Sequence, residues 1–305
     1  MPKSSSTLFR GAFTAIVTPF NADASAVDLS RLTEQIQFQA EGGVTGIVPC
    51  GTTGESPTLS EDEHRSVVEH AVETGKPLGL KIIAGAGSNN TAHAIHLQKF
   101  AKKAGADAAL QVNPYYNKPS QEGLYRHFMA IADSCDLPIC LYNIPGRTGV
   151  ALSPETVERL SKHPNIQAIK EATGSLDSAS EILARTKLAL LSGDDSMTLP
   201  FASVGGVGVV SVVSNIVPEK VSGMCAAFNG GEWDKARALH FELLPLSRGL
   251  LSLDTNPVPV KAAMEKLGRD SGALRLPMCR ASKTVLEAID KLLSAQRLSR
   301  AAVHA

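Results

Sequence analysis

The sequence predicts an α/β protein: a (β/α)8 barrel, or TIM barrel, over residues 1–230, and a C-terminal helical extension over residues 231–305. Short apolar runs alternate with amphipathic segments eight times. The runs lack strict polar alternation, as expected of parallel strands buried on both faces. A chain of 305 residues accommodates one such barrel and a small addition. A doubly wound sheet is the alternative, but no Gly-x-Gly-x-x-Gly turn follows the first run.

The predicted strands, in chain order, are Ala12–Phe20, Gly46–Cys50, Leu78–Ala84, Ala108–Val112, Pro138–Tyr142, Ile166–Lys170, Ala189–Ser192 and Val207–Val213. The last strand lies in the longest uncharged stretch, Ser196–Pro218, whose length alone suggests a membrane span. Its proline, adjacent glycines and serines instead favour a short helix, a turn and a buried strand.

Capping residues delimit the helices predicted between the strands. Ser60–Glu73 begins with the capping box Ser60-x-x-Glu63 and stops at Gly75. Ser120–Ser134 carries one apolar stripe, and Ser153–Ser161 has a serine N-cap followed by a proline.

Two amphipathic segments predict helices in the extension. Trp233–Leu244 ends before Pro245, because a proline inside a helix removes a backbone hydrogen bond. Ser282–Leu293 shows the same apolar spacing after a serine N-cap.

Composition excludes some classes of function. The 30 Lys and Arg balance 30 Asp and Glu, and aromatic residues are only 5%, so no basic surface is available for nucleic acid. Residues 1–10 are polar and lack the apolar core of a secretion signal. The five cysteines show no Cys-x-x-Cys spacing, which suggests reduced thiols. We therefore expect a cytoplasmic protein without membrane association.

No pattern of metal ligands is present in the sequence. The eight histidines show no His-Glu-x-x-His or comparable spacing. Cys50 precedes a glycine-rich turn but is interpreted as a buried, inert thiol. We predict no metal.

Lys170 is the most informative residue. It ends the apolar run 165–170, which predicts a buried strand that delivers an amine to the mouth of the barrel. Apolar surroundings disfavour the charged amine, and a neutral amine is a nucleophile that forms Schiff bases with carbonyl compounds. The alternative is a strand-end lysine that extends into water.

Three further segments follow predicted strands. Gly51–Glu55 can turn tightly and direct N–H groups and two hydroxyls at a small anion such as a carboxylate. Leu141–Gly149 supplies Tyr142, whose phenol can carry a proton, and Arg147, whose guanidinium can bind a carboxylate. Asn113–Pro119 adds a pair of tyrosines. Because the C-terminal strand ends of a barrel form one mouth, we expect these segments to converge with Lys170.

Together these motifs resemble the dihydrodipicolinate synthase family, a group of pyruvate-dependent Schiff-base aldolases whose superfamily includes N-acetylneuraminate lyase. The resemblance runs from about Phe13 to about Leu293 and includes a three-helix C-terminal extension. The strings that carry it are GTTGE, YYNKPSQEGLY, YNIPGRTG, IKEATG, SGDD, GGVGVVS and NPVPVK.

The resemblance implies an enzyme that condenses pyruvate with L-aspartate 4-semialdehyde without a cofactor. Lys170 would form the Schiff base, and Tyr142, Thr52 and Tyr116 would relay protons. Tyr116 would come from a neighbouring subunit of a homotetramer built as a dimer of dimers. The substrate-binding positions would be Thr53 and Val210 for pyruvate and Arg147 for the semialdehyde.

Two other functions remain open from the sequence. One is another pyruvate aldolase, such as N-acetylneuraminate lyase or a keto-deoxy-sugar aldolase, although these do not usually combine the Tyr-Tyr-Asn-Lys-Pro and Pro-Gly-Arg-Thr-Gly strings. The other is a barrel that binds a keto acid as a sensor without catalysis.

The resemblance also implies a site for L-lysine between subunits, and here the chain departs from inhibited bacterial members. Glu61 stands where those members have a histidine, and His93 stands where they have a glutamate. Since His93 cannot neutralise the ammonium group of lysine, we expect weak or absent inhibition. The alternatives are rescue of the site by Glu61, or two solvated residues without a regulatory role. The matching positions are Ser56, Pro57, Glu61, His64, Asn89, His93 and Tyr115.

Overall fold

The computed structural model describes residues 7–300 and contains a closed barrel of eight parallel strands in sequential order. The predicted (β/α)8 barrel is therefore confirmed. The strands are β1 Gly11–Thr14, β2 Gly46–Ile47, β3 Lys81–Gly85, β4 Ala108–Val112, β5 Ile139–Asn143, β6 Ile166–Glu171, β7 Ala189–Ser192 and β8 Gly208–Ser211.

Twelve α-helices accompany the strands within residues 7–300. They are α1 Leu29–Glu41, α2 Glu61–Gly75, α3 Thr91–Ala104, α4 Gln121–Ser134, α5 Pro145–Thr148, α6 Pro154–Leu160, α7 Leu176–Arg185, α8 Thr198–Ser203, α9 Pro218–Asn229, α10 Trp233–Ser252, α11 Val258–Lys266 and α12 Lys283–Ala295. None of the helices in this part of the chain is long and apolar enough to cross a membrane.

Several predicted strands are longer than the observed ones. Strand β1 ends at Thr14, and residues 15–20 continue as a buried segment outside the barrel sheet, where Phe20 makes one isolated bridge with Val27. Leu78 lies in a short 3-10 helix and is exposed, so β3 begins only at Lys81. Apolar character reports burial, and it cannot separate a strand from a buried loop.

Barrel closure depends on a close approach of β1 and β8. Gly11 pairs with Gly208, and a Cβ atom on Gly208 would overlap the backbone oxygen of Gly11. A side chain at this position is therefore incompatible with the observed strand spacing.

Buried side chains fill both the inside of the barrel and the layer between strands and helices. Phe13, Ile83, Leu191 and Val210 belong to the inner cluster, which extends up to Tyr142. The helices bury their apolar stripes on the outer face of the barrel. The inner cluster forms the floor on which the residues of the mouth rest.

The N-terminus of α2 agrees with its predicted capping box. The Glu63 N–H donates to the Ser60 hydroxyl at 3.2 Å, and the Ser60 N–H donates to the Glu63 carboxylate at 2.9 Å. The C-terminal end at Gly75 also matches the prediction.

The predicted end of the helix before Pro245 is wrong, because α10 continues through this proline to Ser252. Leu243, Leu246 and Leu250 lie on both sides of the proline and are all buried. Their packing offsets the penalty of about 3 kcal/mol for an interior proline. With α11 and α12, α10 forms the three-helix C-terminal extension.

Candidate active site

Lys170 and Tyr142 lie side by side at the mouth of the barrel. They are register partners on β6 and β5. Lys170 is only 6% exposed, and its Nζ lies 4.0 Å from the centroid of the Tyr142 ring. The amine is thus enclosed, with a phenol next to it that can carry a proton.

Gly193 makes room for the lysine, a role that the sequence analysis missed. A Cβ atom at this position would lie 3.2 Å from Cε of Lys170 and 2.6 Å from Cβ of Ala172. Any larger residue would press on the lysine side chain or on the loop after β6. The only sequence signal was the SGDD string, which gave no physical reason for the glycine.

Glu171 follows the lysine but serves the loop behind it. Its carboxylate accepts hydrogen bonds from the Asn143 amide at 3.0 Å and from the Thr173 N–H at 2.8 Å. Burial raises the pKa of Glu171. Because successive side chains on a strand point to opposite faces, Glu171 braces the outer side of β6 while Lys170 faces the mouth.

The Gly51–Glu55 loop forms another wall of the site. The Thr18 hydroxyl donates to the Gly54 carbonyl at 2.7 Å, and a Cβ atom on Gly54 would come within 3.1 Å of the Cys50 nitrogen. Glu55 adopts a left-handed conformation with φ of 53°. Within this loop Thr53 is buried and Thr52 is half-buried. The turn predicted as an anion-binding loop is therefore held rigidly, but at a conformational cost.

An ion pair that the sequence did not predict anchors this loop. Lys261 is 0% exposed, and its Nζ lies 2.8 Å from the Glu55 carboxylate and 3.0 Å from the Thr18 carbonyl. The other Glu55 oxygen accepts from the Arg275 N–H at 3.1 Å. Helix α11 of the extension thus reaches into the base of the active site.

Arg147 lies on the short helix α5 after β5, at the rim of the mouth. Its side chain is exposed and donates to the Asn256 backbone carbonyl at 3.2 Å. The guanidinium group is therefore tethered at one point and keeps further N–H donors for a carboxylate.

Tyr116 is the predicted residue that does not join the site within one chain. It is 89% exposed on the loop after β4 and adopts φ of 71°. Reciprocal hydrogen bonds fix the loop, since Asn117 donates to the Asn89 carbonyl at 2.9 Å and Asn89 donates to the Tyr115 carbonyl at 3.1 Å. The tyrosine is held in a strained conformation that points away from its own fold.

A cavity of about 320 Å³ adjoins the mouth. Thr52 and Tyr142 belong to its lining. Six of the seven positions matched to an L-lysine site line it too, and Asn89 borders it through the hydrogen bond to Tyr115. The six are Ser56, Pro57, Glu61, His64, His93 and Tyr115.

The charges around this cavity are largely compensated. The Glu61 carboxylate lies 2.9 Å from His96 Nε2 and 2.6 Å from the Arg65 guanidinium. These contacts, first that of His96, lower the pKa of Glu61. Burial lowers the pKa of His64, whose Nε2 lies 2.8 Å from the Gly85 carbonyl and therefore carries the hydrogen of the neutral ring.

Within residues 7–300 no three His, Cys, Asp or Glu side chains lie close enough to hold a metal ion. The reactive groups of the site are an enclosed amine, a neighbouring phenol, hydroxyls on a rigid loop and a tethered guanidinium. In a (β/α)8 barrel this arrangement defines an enzyme of the Schiff-base-forming lyase class.

Comparison with known proteins identifies the family. A family model, the Dihydrodipicolinate synthetase family (DHDPS), matches residues 8–296. The chain belongs to this family. It is 54% identical over 274 residues to a 4-hydroxy-tetrahydrodipicolinate synthase of Nitratidesulfovibrio vulgaris (strain DP4). The aligned region covers 89% of this chain and 92% of that protein.

Solved structures agree with this assignment. The 4-hydroxy-tetrahydrodipicolinate synthase of the thermoacidophilic methanotroph Methylacidiphilum fumariolicum SolV superposes with a TM-score of 0.92 at 48% identity, over 97% of this chain and 98% of that chain. A DHDPS structure from Cyanidioschyzon merolae with lysine bound has a TM-score of 0.93 at 39% identity, over 96% of this chain and 100% of that one.

Proposed function

We propose that this enzyme condenses pyruvate with L-aspartate 4-semialdehyde, the reaction of a 4-hydroxy-tetrahydrodipicolinate synthase in the diaminopimelate route to lysine. The observation that carries the proposal is the enclosed Lys170 amine 4.0 Å from the Tyr142 ring. The 54% identity to a curated synthase supports the choice of substrates.

The chemistry begins with attack of the Lys170 amine on the ketone carbon of pyruvate, and loss of water gives a protonated imine. The imine withdraws electrons, so a methyl proton leaves and an enamine forms. The enamine carbon bonds to the aldehyde carbon of the second substrate, whose oxygen takes up a proton. The amine of that substrate then displaces Lys170 and closes the ring. The protonated imine formed by Lys170 and pyruvate is itself the electron sink, so the proposed reaction needs no cofactor.

Each substrate carboxylate has its own proposed binding group. The Thr53 hydroxyl and the neighbouring backbone N–H groups bind the carboxylate of pyruvate, and Val210 forms the apolar floor beneath it. Arg147 binds the carboxylate of the semialdehyde, because its guanidinium group is exposed at the rim with donors to spare.

Tyr142, Thr52 and Tyr116 form the proposed proton path, and Tyr116 is donated by a second copy of the chain. Its 89% exposure in a braced, left-handed loop supports a role outside its own fold. The proposed assembly is a homotetramer made of two such dimers.

Mixing two inactive variants tests the donation of Tyr116. A mixed dimer of Tyr116→Phe and Lys170→Ala chains contains one site in which Lys170 and the partner-derived Tyr116 are both intact. Activity should therefore return after the two variants are unfolded and refolded together. If mixing restores no activity although mixed dimers form, Tyr116 acts within its own chain or not at all.

An assay of the purified protein with pyruvate and L-aspartate 4-semialdehyde tests the function. We expect both substrates to be consumed in equal amounts and a cyclic product to form, and mass spectrometry detects that product. Cleavage of N-acetylneuraminate or of a keto-deoxy sugar in place of this reaction would assign the protein to another pyruvate aldolase. Pyruvate binding without turnover would indicate a sensor.

We also propose that L-lysine inhibits this enzyme weakly or not at all. The Glu61 carboxylate is already paired with the Arg65 guanidinium and in contact with the His96 ring, so it is not free to replace the glutamate missing at position 93. His93→Glu should introduce or strengthen inhibition, and His93→Gln is the matched control that adds no charge. Strong inhibition of the unmodified enzyme by millimolar L-lysine would contradict this reading of His93.

Two further parts of the proposal concern organisation. The division between the barrel and the extension is placed near residue 230, between α9 and α10. The proposed location is the cytoplasm, where both substrates of the condensation would be available.

A further inference from the structure

Asn256 connects the two residues to which the substrate carboxylates are assigned. It lies between α10 and α11 and is 8% exposed. Its side-chain amide donates to the Thr53 hydroxyl oxygen at 2.9 Å, and its backbone carbonyl accepts from the Arg147 guanidinium at 3.2 Å. One residue of the extension therefore contacts both Thr53 and Arg147.

The contact with Thr53 fixes the direction in which this hydroxyl can donate. A threonine hydroxyl has one hydrogen to donate and two lone pairs that accept. Since the Asn256 NH2 group can only donate, it occupies a lone pair and leaves the Thr53 hydrogen free for the mouth. A carboxylate can only accept hydrogen bonds, so it requires that hydrogen. A buried acceptor in place of the NH2 group would consume it.

The position of Asn256 relative to the loop is itself fixed. Lys261, five residues further along the chain, is bonded to Glu55 in the same loop as Thr53. The Asn256 side-chain oxygen is buried and has no hydrogen-bond partner among residues 7–300. A buried polar group without a partner is disfavoured, and such groups concentrate where function requires the geometry.

We propose that Asn256 is a positioning residue that directs the Thr53 hydroxyl toward the carboxylate of pyruvate and holds Arg147 at the rim for the carboxylate of the semialdehyde. This inference rests on the proposed function. Asn256 touches neither substrate, and it acts through the donor that it orients and the guanidinium that it tethers.

Two substitutions separate orientation from packing. Asn256→Asp keeps the shape but replaces the donor by an acceptor that takes the Thr53 hydrogen. We expect the pyruvate concentration for half-maximal imine formation to rise about 30-fold or more. Asn256→Ala leaves the Thr53 hydroxyl free to rotate, and the rise should be about 10-fold or less. If packing alone mattered, the isosteric aspartate would be the milder change.

A Thr53→Val background supplies the second test. If Asn256 acts on pyruvate through Thr53, Asn256→Ala should have no further effect on half-saturation once the hydroxyl is gone. Equal effects of Asn256→Ala in both backgrounds would overturn the proposal.

Asn165→Asp is the matched control for Asn256→Asp, because the Asn165 amide donates to the Ala132 and Cys135 carbonyls at the opposite end of β6. It should lower the melting temperature without changing half-saturation.

Imine formation is measured by borohydride trapping with pyruvate alone. This measurement distinguishes failure of the proposed function from failure of the proposed role of Asn256. If the unmodified enzyme forms no adduct, the proposed function fails. If it forms the adduct and Asn256→Asp reaches half-saturation at the same pyruvate concentration, only the role of Asn256 fails.

Discussion

Lys261→Met should destabilise the protein strongly, because Lys261 is fully buried even though it belongs to the C-terminal extension. The substitution keeps most of the apolar volume and removes the charge. Among residues 7–300 it leaves the Glu55 carboxylate, whose side chain is only 2% exposed, with one remaining hydrogen bond, from the Arg275 backbone N–H. It also removes the amine from the Thr18 carbonyl at 3.0 Å and from the Phe20 ring at 4.4 Å.

The expected cost follows from this burial. Breaking one half of a buried ion pair costs about 3–5 kcal/mol, because the other charge is left desolvated. For a chain of this size such a loss lowers the melting temperature by roughly 5–15 °C. Thr53 belongs to the same loop as Glu55, so half-saturation with pyruvate should also require more substrate.

The assay is thermal unfolding followed by circular dichroism, with two comparison variants. Lys266→Met removes another lysine of the same helix, whose ion-pair partner Asp290 lies 2.7 Å away and is largely exposed. This substitution should lower the free energy of unfolding by less than about 1 kcal/mol. Glu55→Gln combined with Lys261→Met removes both charges and should recover most of the stability. The reasoning is refuted if Lys261→Met costs no more than Lys266→Met, or if the double variant is as unstable as the single one.

Three further predictions concern binding of the semialdehyde, the pH dependence of stability and the room around the Lys170 side chain. Arg147→Ala should impair use of the semialdehyde by about 2–4 kcal/mol, or about 30- to 1,000-fold in kcat/KM, while pyruvate imine formation changes little; equal damage to both steps would make Arg147 structural. Hydrogen bonds from Arg275 at 2.6 and 2.7 Å lower the pKa of Glu63 to about 2. The stabilisation by this ion pair is complete above about pH 4.5 and is lost as the pH falls toward 2. Glu63→Gln should therefore lower the free energy of unfolding by about 1–3 kcal/mol at pH 7, and the difference from the unmodified protein should vanish in acid. Melting curves at several pH values test this. Gly193→Ala should slow imine formation because its methyl group would press on Lys170; an unchanged rate would mean that the lysine has more room than the structure indicates.

The parts of the site that local sequence could predict are those that end a strand. Tyr142 and Lys170 were assigned to one mouth because the fold brings all C-terminal strand ends together, and the two residues are indeed register partners. The roles of their individual atoms in the reaction remain predictions.

Long-range polar pairs could not be predicted in this way. Glu55 and Lys261 are 206 residues apart, and Thr53 and Asn256 are 203 residues apart. No periodicity links such positions, since each contact depends on how the extension packs across the barrel. The NPVPVK string marked the segment without indicating which atoms its side chains meet.

Pro245 shows the opposite limit. The low helix propensity of proline predicts that the helix ends before Pro245, but the buried leucines on both sides keep α10 continuous. Local propensity is a weak guide wherever a helix is stabilised mainly by tertiary packing.

Borohydride reduction in the presence of pyruvate, followed by peptide mass spectrometry, tests the central claim most directly. Reduction adds hydride to the imine carbon and makes the bond to the amine permanent. We predict one pyruvate-derived adduct per chain, located on Lys170, and its loss in Lys170→Ala. An adduct on any other lysine, or no adduct in active enzyme, would contradict the assignment of Lys170 as the Schiff-base residue.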